Sequence, residues 1–150
     1  GIATEVFGGY NGIFAQNYGS GALSITTTGT TTGTTGGEAD NETGYGIYAY
    51  NSSDGTDITI NAATTTGGAY GIYAANYGTG ALNITTSGAI TGGTGYGIRT
   101  RTSANKTTNI TLNSGTVVSS TAGLGIFNNA GNSITTVNTG ASVAGKIALG

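Results

Sequence analysis

A short segment, Gly-Ile-x-Ala with an Asn two residues further on, returns along the chain as Gly12-Ile13-Phe14-Ala15-Gln16-Asn17, Gly46-Ile47-Tyr48-Ala49-Tyr50-Asn51 and Gly71-Ile72-Tyr73-Ala74-Ala75-Asn76. Degenerate copies follow at Gly97-Ile98-Arg99-Thr100 and Gly125-Ile126-Phe127-Asn128, so the Ile-to-Ile steps are 34, 25, 26 and 28 residues. Recurrence on this scale, in short β-branched segments parted by Gly, Asn and Ser, predicts stacked coils. No single copy carries enough apolar surface to offset the entropy of ordering it, whereas copies stacked about 4.8 Å apart bury it between them.

Three strands per repeat follow from period-2 alternation and turn residues. The first, Tyr-Gly-Ile-x-Ala, is expected to turn Tyr45, Ile47 and Ala49 inward, with Tyr70, Ile72 and Ala74, Tyr96, Ile98 and Thr100, and Leu124, Ile126 and Asn128 in the same role. The second pairs apolar residues two apart: Leu23/Ile25, Ile58/Ile60, Leu82/Ile84, Ile110/Leu112 and, more weakly, Ile134/Thr136. This places Ile13, Ile47, Ile72, Ile98 and Ile126 in one inward stack, and Leu23, Ile58, Leu82, Ile110 and Ile134 in another. The third is shorter, marked by Val6, Ile90, Val117 or Val118, and Val143. Apolar spacing never follows the helical i, i+3, i+4 rule, and Gly and Thr are poor helix formers. The predicted class is all-β, a parallel β-helix of about five coils with roughly 25 residues per coil and on the order of 25 Å long.

The 150 residues read as a single solenoid segment whose repeats begin and end mid-pattern, and we expect a fragment of a longer array. Residues 29–43 account for the long step of 34 and are predicted to form a polar loop insertion. Gly-Ser-Gly at 19–21 and Gly-Thr-Gly at 78–80 are expected to supply positive φ where the chain turns.

Composition removes whole classes of chemistry. His and Cys are both zero, which takes away the imidazole base, the thiol nucleophile and the common zinc ligands. Four Lys+Arg against six Asp+Glu, net −2, offer no basic stripe for phosphate, so no nucleic-acid partner is expected. No apolar run nears the ~20 residues of a membrane helix, and no membrane insertion of this segment is expected. Glycosidases and lyases on β-helices need paired carboxylates, or a base with calcium and a cation; the acids here are scattered, which argues against an enzyme. Glu38, Asp40 and Glu42 in the insertion, with Asp54 and Asp57 near a turn, could lend oxygens to Ca²⁺, but a site needs roughly six to eight of them; we expect no metal and no cofactor.

The rhythm Gly-Tyr-Gly-Ile-Tyr-Ala-x-Asn-Tyr-Gly-Thr-Gly-x-Leu-x-Ile-Thr-x-x-Gly, best kept at 12–29 and 70–92, resembles the passenger region of bacterial autotransporter proteins. The resemblance covers nearly the whole chain, and residues 101–121 and the last coil depart from it. It implies a right-handed parallel β-helix carried to the cell surface by a C-terminal outer-membrane barrel, and it implies an adhesin but no reaction.

Three outward features are candidates for function. Phe14, Tyr48, Tyr73, Arg99 and Phe127 follow the repeated Ile and should form a column, either a stripe that stacks on sugar rings or packs on a partner, or a ladder that stabilises the strands. Second-strand outward positions make two columns, Ser24, Thr59, Asn83, Thr111 and Thr135, then Thr26, Asn61, Thr85 and Asn113; a flat Thr-rich face is similar to ice-binding proteins, though Asn and Ser interrupt it. Asn17, Asn51 and Asn76 should form an inward or turn-facing amide ladder. The resulting expectation is a non-enzymatic cell-surface or secreted solenoid, acting as stalk and adhesive surface. Its partners would be a host or neighbouring-cell surface, protein or glycan, or a second copy in a self-assembling extracellular fibre. Ice or carbohydrate binding is the rival reading.

Overall fold

The computed structural model describes residues 2–7, 10–34, 44–129 and 131–149, the first of these segments through its backbone. In chain order the strands are β1 (Ile2–Phe7), β2 (Ile13–Asn17), β3 (Leu23–Thr32), β4 (Tyr45–Asn51), β5 (Ile58–Ala62), β6 (Thr65–Gly67), β7 (Tyr70–Asn76) and β8 (Leu82–Thr86). They continue as β9 (Ile90–Gly92), β10 (Ile98–Thr102), β11 (Thr107–Leu112), β12 (Val117–Ser120), β13 (Leu124–Asn129), β14 (Asn132–Val137), β15 (Ser142–Val143) and β16 (Lys146–Leu149). No helix occurs among the described residues.

Every strand pairing is parallel and joins a strand to its counterpart in the neighbouring coil. One face of the solenoid is the sheet β16-β13-β10-β7-β4-β2. The second and third faces meet on the ten-residue β3, which bonds to both β5 and β6, so β14-β11-β8-β5 and β6-β9-β12-β15 form one bent sheet. β1 pairs with β3, setting Val6 beside Thr31. The chain is a β-solenoid of about four turns, about 26 residues apart.

The first predicted stack is present: Ile13, Ile47, Ile72, Ile98 and Ile126 are in register, and all but the half-buried Ile13 are fully buried. Full burial of each such side chain is worth about 1.5–3 kcal/mol.

The second stack differs from expectation. Leu23, Ile58 and Leu82 align, but Leu82 is followed by Thr108, and Ile110 stacks on Ile84. Leu112 therefore lies over Thr86. Ile134 pairs with Asn109 on the outward side and is 58% exposed, while Ser133 and Thr135 turn inward. The cause is turn length. The connection from β13 to β14 is short and bends at Gly131 (φ +79°), and a one-residue change of register sends every side chain to the other face.

On the third strands the inward row is Thr31, Thr65, Ile90, Val118 and Val143, with Val117 outward at 41% exposure. This row explains the recurring glycine. A Cβ on Gly12, Gly46, Gly71, Gly97 or Gly125 would meet the methyls of Thr31, Thr65, Ile90, Val118 or Val143 at 2.4–2.8 Å. Gly46 thus leaves the inward direction to the Thr65 methyl, and the Tyr45 ring, expected in the core, packs instead on the outward rings of Tyr48 and Tyr73.

The insertion expected over 29–43 starts later: residues 29–32 belong to β3 and Thr31 is buried against its neighbours. Residues 35–43 lie outside the described residues. The glycines of 19–21 and 78–80 do not have positive φ. Gly78 and Gly80 are required for space instead, since a Cβ would lie 2.3 Å from the Gly55 carbonyl oxygen and 2.1 Å from an Asp57 carboxylate oxygen.

Candidate contact surface

The outward side of the first sheet carries most of the aromatic residues, and coil stacking orders them into ladders. Phe14, Tyr48, Tyr73, Arg99 and Phe127 are in register as predicted. Phe14 and Tyr48 stack at 4.7 Å with planes 10° apart, and Tyr48 and Tyr73 at 5.4 Å and 5°. The Arg99 guanidinium takes the next rung, 5.4 Å from the Tyr73 ring and 5.9 Å from Phe127.

Beside it runs a second ladder, built on Tyr45, Tyr70 and Tyr96, which the alternation pattern assigns to the core. Tyr45 stacks on Tyr70 at 5.4 Å, Tyr70 on Tyr96 at 6.3 Å, and Tyr96 on Phe127 at 5.0 Å. Tyr45 is only 5% exposed because the rings of Tyr48, Tyr70 and Tyr73 cover it, at 5.1 to 5.4 Å. Such pairs contribute about 0.5–1.5 kcal/mol each beyond area burial.

A third ladder flanks the other side: Tyr18 to Tyr50 at 5.6 Å, Tyr50 to Tyr77 at 5.7 Å, and Arg101 to the Tyr77 ring at 5.6 Å. Strand register gives Tyr50, Ala75 and Arg101 in one outward column. The Tyr77 ring takes the rung that Ala75 leaves short. Sequence reasoning missed this ladder because Tyr77 lies beyond the strand end and out of period with Tyr50.

This geometry limits the chemistry. Within the first ladder and the Tyr45–Tyr70–Tyr96 ladder, ring planes lie within 18° of one another, so each ring face is occupied by the next ring. What the surface offers is ring edges, phenol hydroxyls and guanidinium groups. Face-on stacking of a sugar is blocked at the inner rungs; the end rungs are Phe14, which is 57% exposed, and Phe127, whose neighbour in the next strand is Ala148. Ring edges carry the positive end of the aromatic quadrupole, so the face favours electron-rich oxygen.

The outward columns of the second strands are revised by the register described above. They read Ser24, Thr59, Asn83, Asn109 and Ile134, and Thr26, Asn61, Thr85, Thr111 and Thr136. Thr135 is thereby removed from the surface, and Thr111 moves to the second column. Asn109 Nδ2 donates to Asn83 Oδ1 at 2.8 Å, so the amides bond to one another along the column.

Asn17, Asn51 and Asn76 form the predicted amide ladder at the turn after the first strand. Asn17 Nδ2 donates to Asn51 Oδ1 at 2.7 Å, and Asn51 Nδ2 to Asn76 Oδ1 at 3.2 Å. Asn51 and Asn76 are fully buried and also donate to the Thr56 carbonyl at 3.1 Å. This ladder closes the corner of the coil and leaves no amide for a ligand.

Of the acids, Glu38, Asp40 and Glu42 lie outside the described residues. Asp54 is exposed in a turn, and an Asp57 carboxylate oxygen accepts from the Ala81 amide at 2.7 Å. Among the described residues no group of three or more His, Cys, Asp or Glu side chains is placed to hold a metal ion. No helix among them is long and apolar enough to cross a membrane. Comparison with protein-family models, with curated proteins and with solved structures gives no match for this chain.

Proposed function

We propose that the chain is a non-enzymatic stalk and adhesive segment of an exported bacterial surface protein, a right-handed five-coil β-helix of the kind found in autotransporter passengers. The observation that carries this reading is the in-register stacking of first strands, which sets three aromatic ladders side by side on one face. Parallel coils fix the spacing of that face, so contacts repeat along the rod and add by multivalency. The Gly-Tyr-Gly-Ile-Tyr-Ala rhythm supports the passenger assignment. Scarce charge, with neither His nor Cys, supports a binding role over a catalytic one.

The test is a Tyr48→Ser, Tyr73→Ser double variant. It should keep the β-type circular-dichroism spectrum while beads coated with it lose adhesion to cell surfaces relative to the parent chain. Unchanged adhesion would make the ladder a stabilising element only. A second reading is assembly into fibres, since parallel coil-to-coil pairing is a geometry that another copy can continue. Concentration-dependent light scattering distinguishes it. Ice binding has less support, because Ser24, Asn83, Asn109 and Ile134 interrupt the first outward column and Asn61 the second.

A further inference from the structure

We propose that Arg99 and Arg101 form an anion-recognition point within the aromatic face, and that its ligand is an acidic glycan bearing carboxylate or sulfate groups. The inference rests on the adhesive reading and names the ligand class of that surface.

The first observation is that two ladders change from ring to guanidinium in the same coil. Arg99 follows Tyr73, and Arg101 follows Tyr77. Both lie on the outward side of β10, two residues and therefore roughly 7 Å apart, so the two charges form a positive band across the face. Of the other two cations, Lys106 lies in the next turn and donates to the Thr79 carbonyl at 2.8 Å, and Lys146 begins β16 at the edge of the same sheet.

The second is that no acidic residue stands beside either of them in the sheet. The strand neighbours of Arg99 are Tyr73 and Phe127, and those of Arg101 are Ala75 and Asn129; none is acidic. Arg99 Nη1 donates to the Tyr70 hydroxyl at 3.1 Å, while its Nε is buried with no hydrogen-bond partner. The Tyr70 hydroxyl, accepting from Arg99, keeps its own proton to donate to a ligand oxygen. Arg101 is exposed and leaves its planar fork open to bidentate pairing with a carboxylate or sulfate. Arg99, partly buried among ring edges, is less screened than a charge at an open surface, so an anion that reaches it gains more there.

The third concerns the rest of the ligand. Tyrosine rings and hydroxyls on the β7 side of the band, with Phe127 and Asn129 on the β13 side, suit a partner that presents many oxygens, as a polysaccharide does. Face-on ring stacking is not needed.

The test uses the whole chain immobilised and four probes: polygalacturonate, dextran sulfate, neutral dextran, and phosphatidylserine vesicles. Expected is binding of one or both acidic polymers, with retention of neutral dextran and vesicles at background, and weakening as salt rises. Polygalacturonate against dextran sulfate identifies carboxylate or sulfate as the source. Arg101→Gln, at an exposed position, should lower affinity for the bound polymer about tenfold with unchanged melting temperature, and Arg99→Gln/Arg101→Gln should abolish it. Binding equal to that of neutral dextran, vesicle binding at the polymer's level, or an Arg101→Gln chain that binds as the parent does would each overturn the proposal. If adhesion is lost in the Tyr48/Tyr73 variant but unaffected by Arg101→Gln, the adhesive surface stands and its acidic-glycan ligand does not.

Discussion

Replacing Gly71 by Ala adds one methyl group at a place where three atoms already meet. The new Cβ would lie 2.6 Å from the Gly97 carbonyl oxygen, 2.8 Å from a methyl of Ile90 and 3.1 Å from the Thr91 carbonyl oxygen. Two of these belong to hydrogen-bonded backbone: the Ile72 amide donates to that Gly97 oxygen at 2.9 Å. Relief must therefore separate coils or displace Ile90, which is fully buried. Overpacking of this kind costs about 1–3 kcal/mol, against about 0.4–1 kcal/mol gained from the smaller freedom of Ala in the unfolded chain. The net expectation is a loss on the order of 1–2 kcal/mol, a fall of roughly 0.5–1 M in the urea midpoint followed by circular dichroism. The control is Gly21→Ala, where a Cβ meets nothing within 4 Å and φ is not positive. It should leave the midpoint unchanged or raise it. If the two variants unfold at the same urea concentration, the account of the recurring glycine as a close-approach site is wrong.

Ile110→Ala should cost about 2–5 kcal/mol as a cavity in a full core, while Ile134→Ala should change stability by less than about 0.5 kcal/mol; the reverse order in denaturant melts would restore the register expected from the strand pattern alone. Asn51→Ala removes the middle of the amide ladder, leaving Asn17 Nδ2 only the Gly21 carbonyl and Asn76 Oδ1 only the Gly78 amide, so a loss of about 1–3 kcal/mol is expected. Thr108→Val replaces a buried hydroxyl that has no partner with a methyl of the same shape, and its thermal midpoint should correspond to a gain of about 1 kcal/mol.

The recurrence of Gly-Ile-x-Ala was sufficient to place the first strands, because one Ile per repeat has a single register that stacks every copy. The amide ladder was legible for the same reason: Asn17, Asn51 and Asn76 keep a constant distance from that Ile. The second strands show where pattern alone misleads. Matching Ile110/Leu112 to Leu82/Ile84 pairs like with like, yet Ile110 lies 12 residues after Ile98, as Ile84 lies 12 after Ile72, and the structure follows that count. Had turn length been given priority over residue likeness, the shift could have been read from the sequence. Ile134 and the tyrosine ladders are different. Where the Tyr45 ring lies depends on its packing against Tyr48 and against Tyr73 of an adjacent coil, and whether Tyr77 completes a ladder depends on Tyr50 of a neighbouring coil. The chain's local pattern decides what can repeat. Only contacts between coils, made by residues about 26 positions apart, decide which side chains reach the surface and which two cations come to stand together on it.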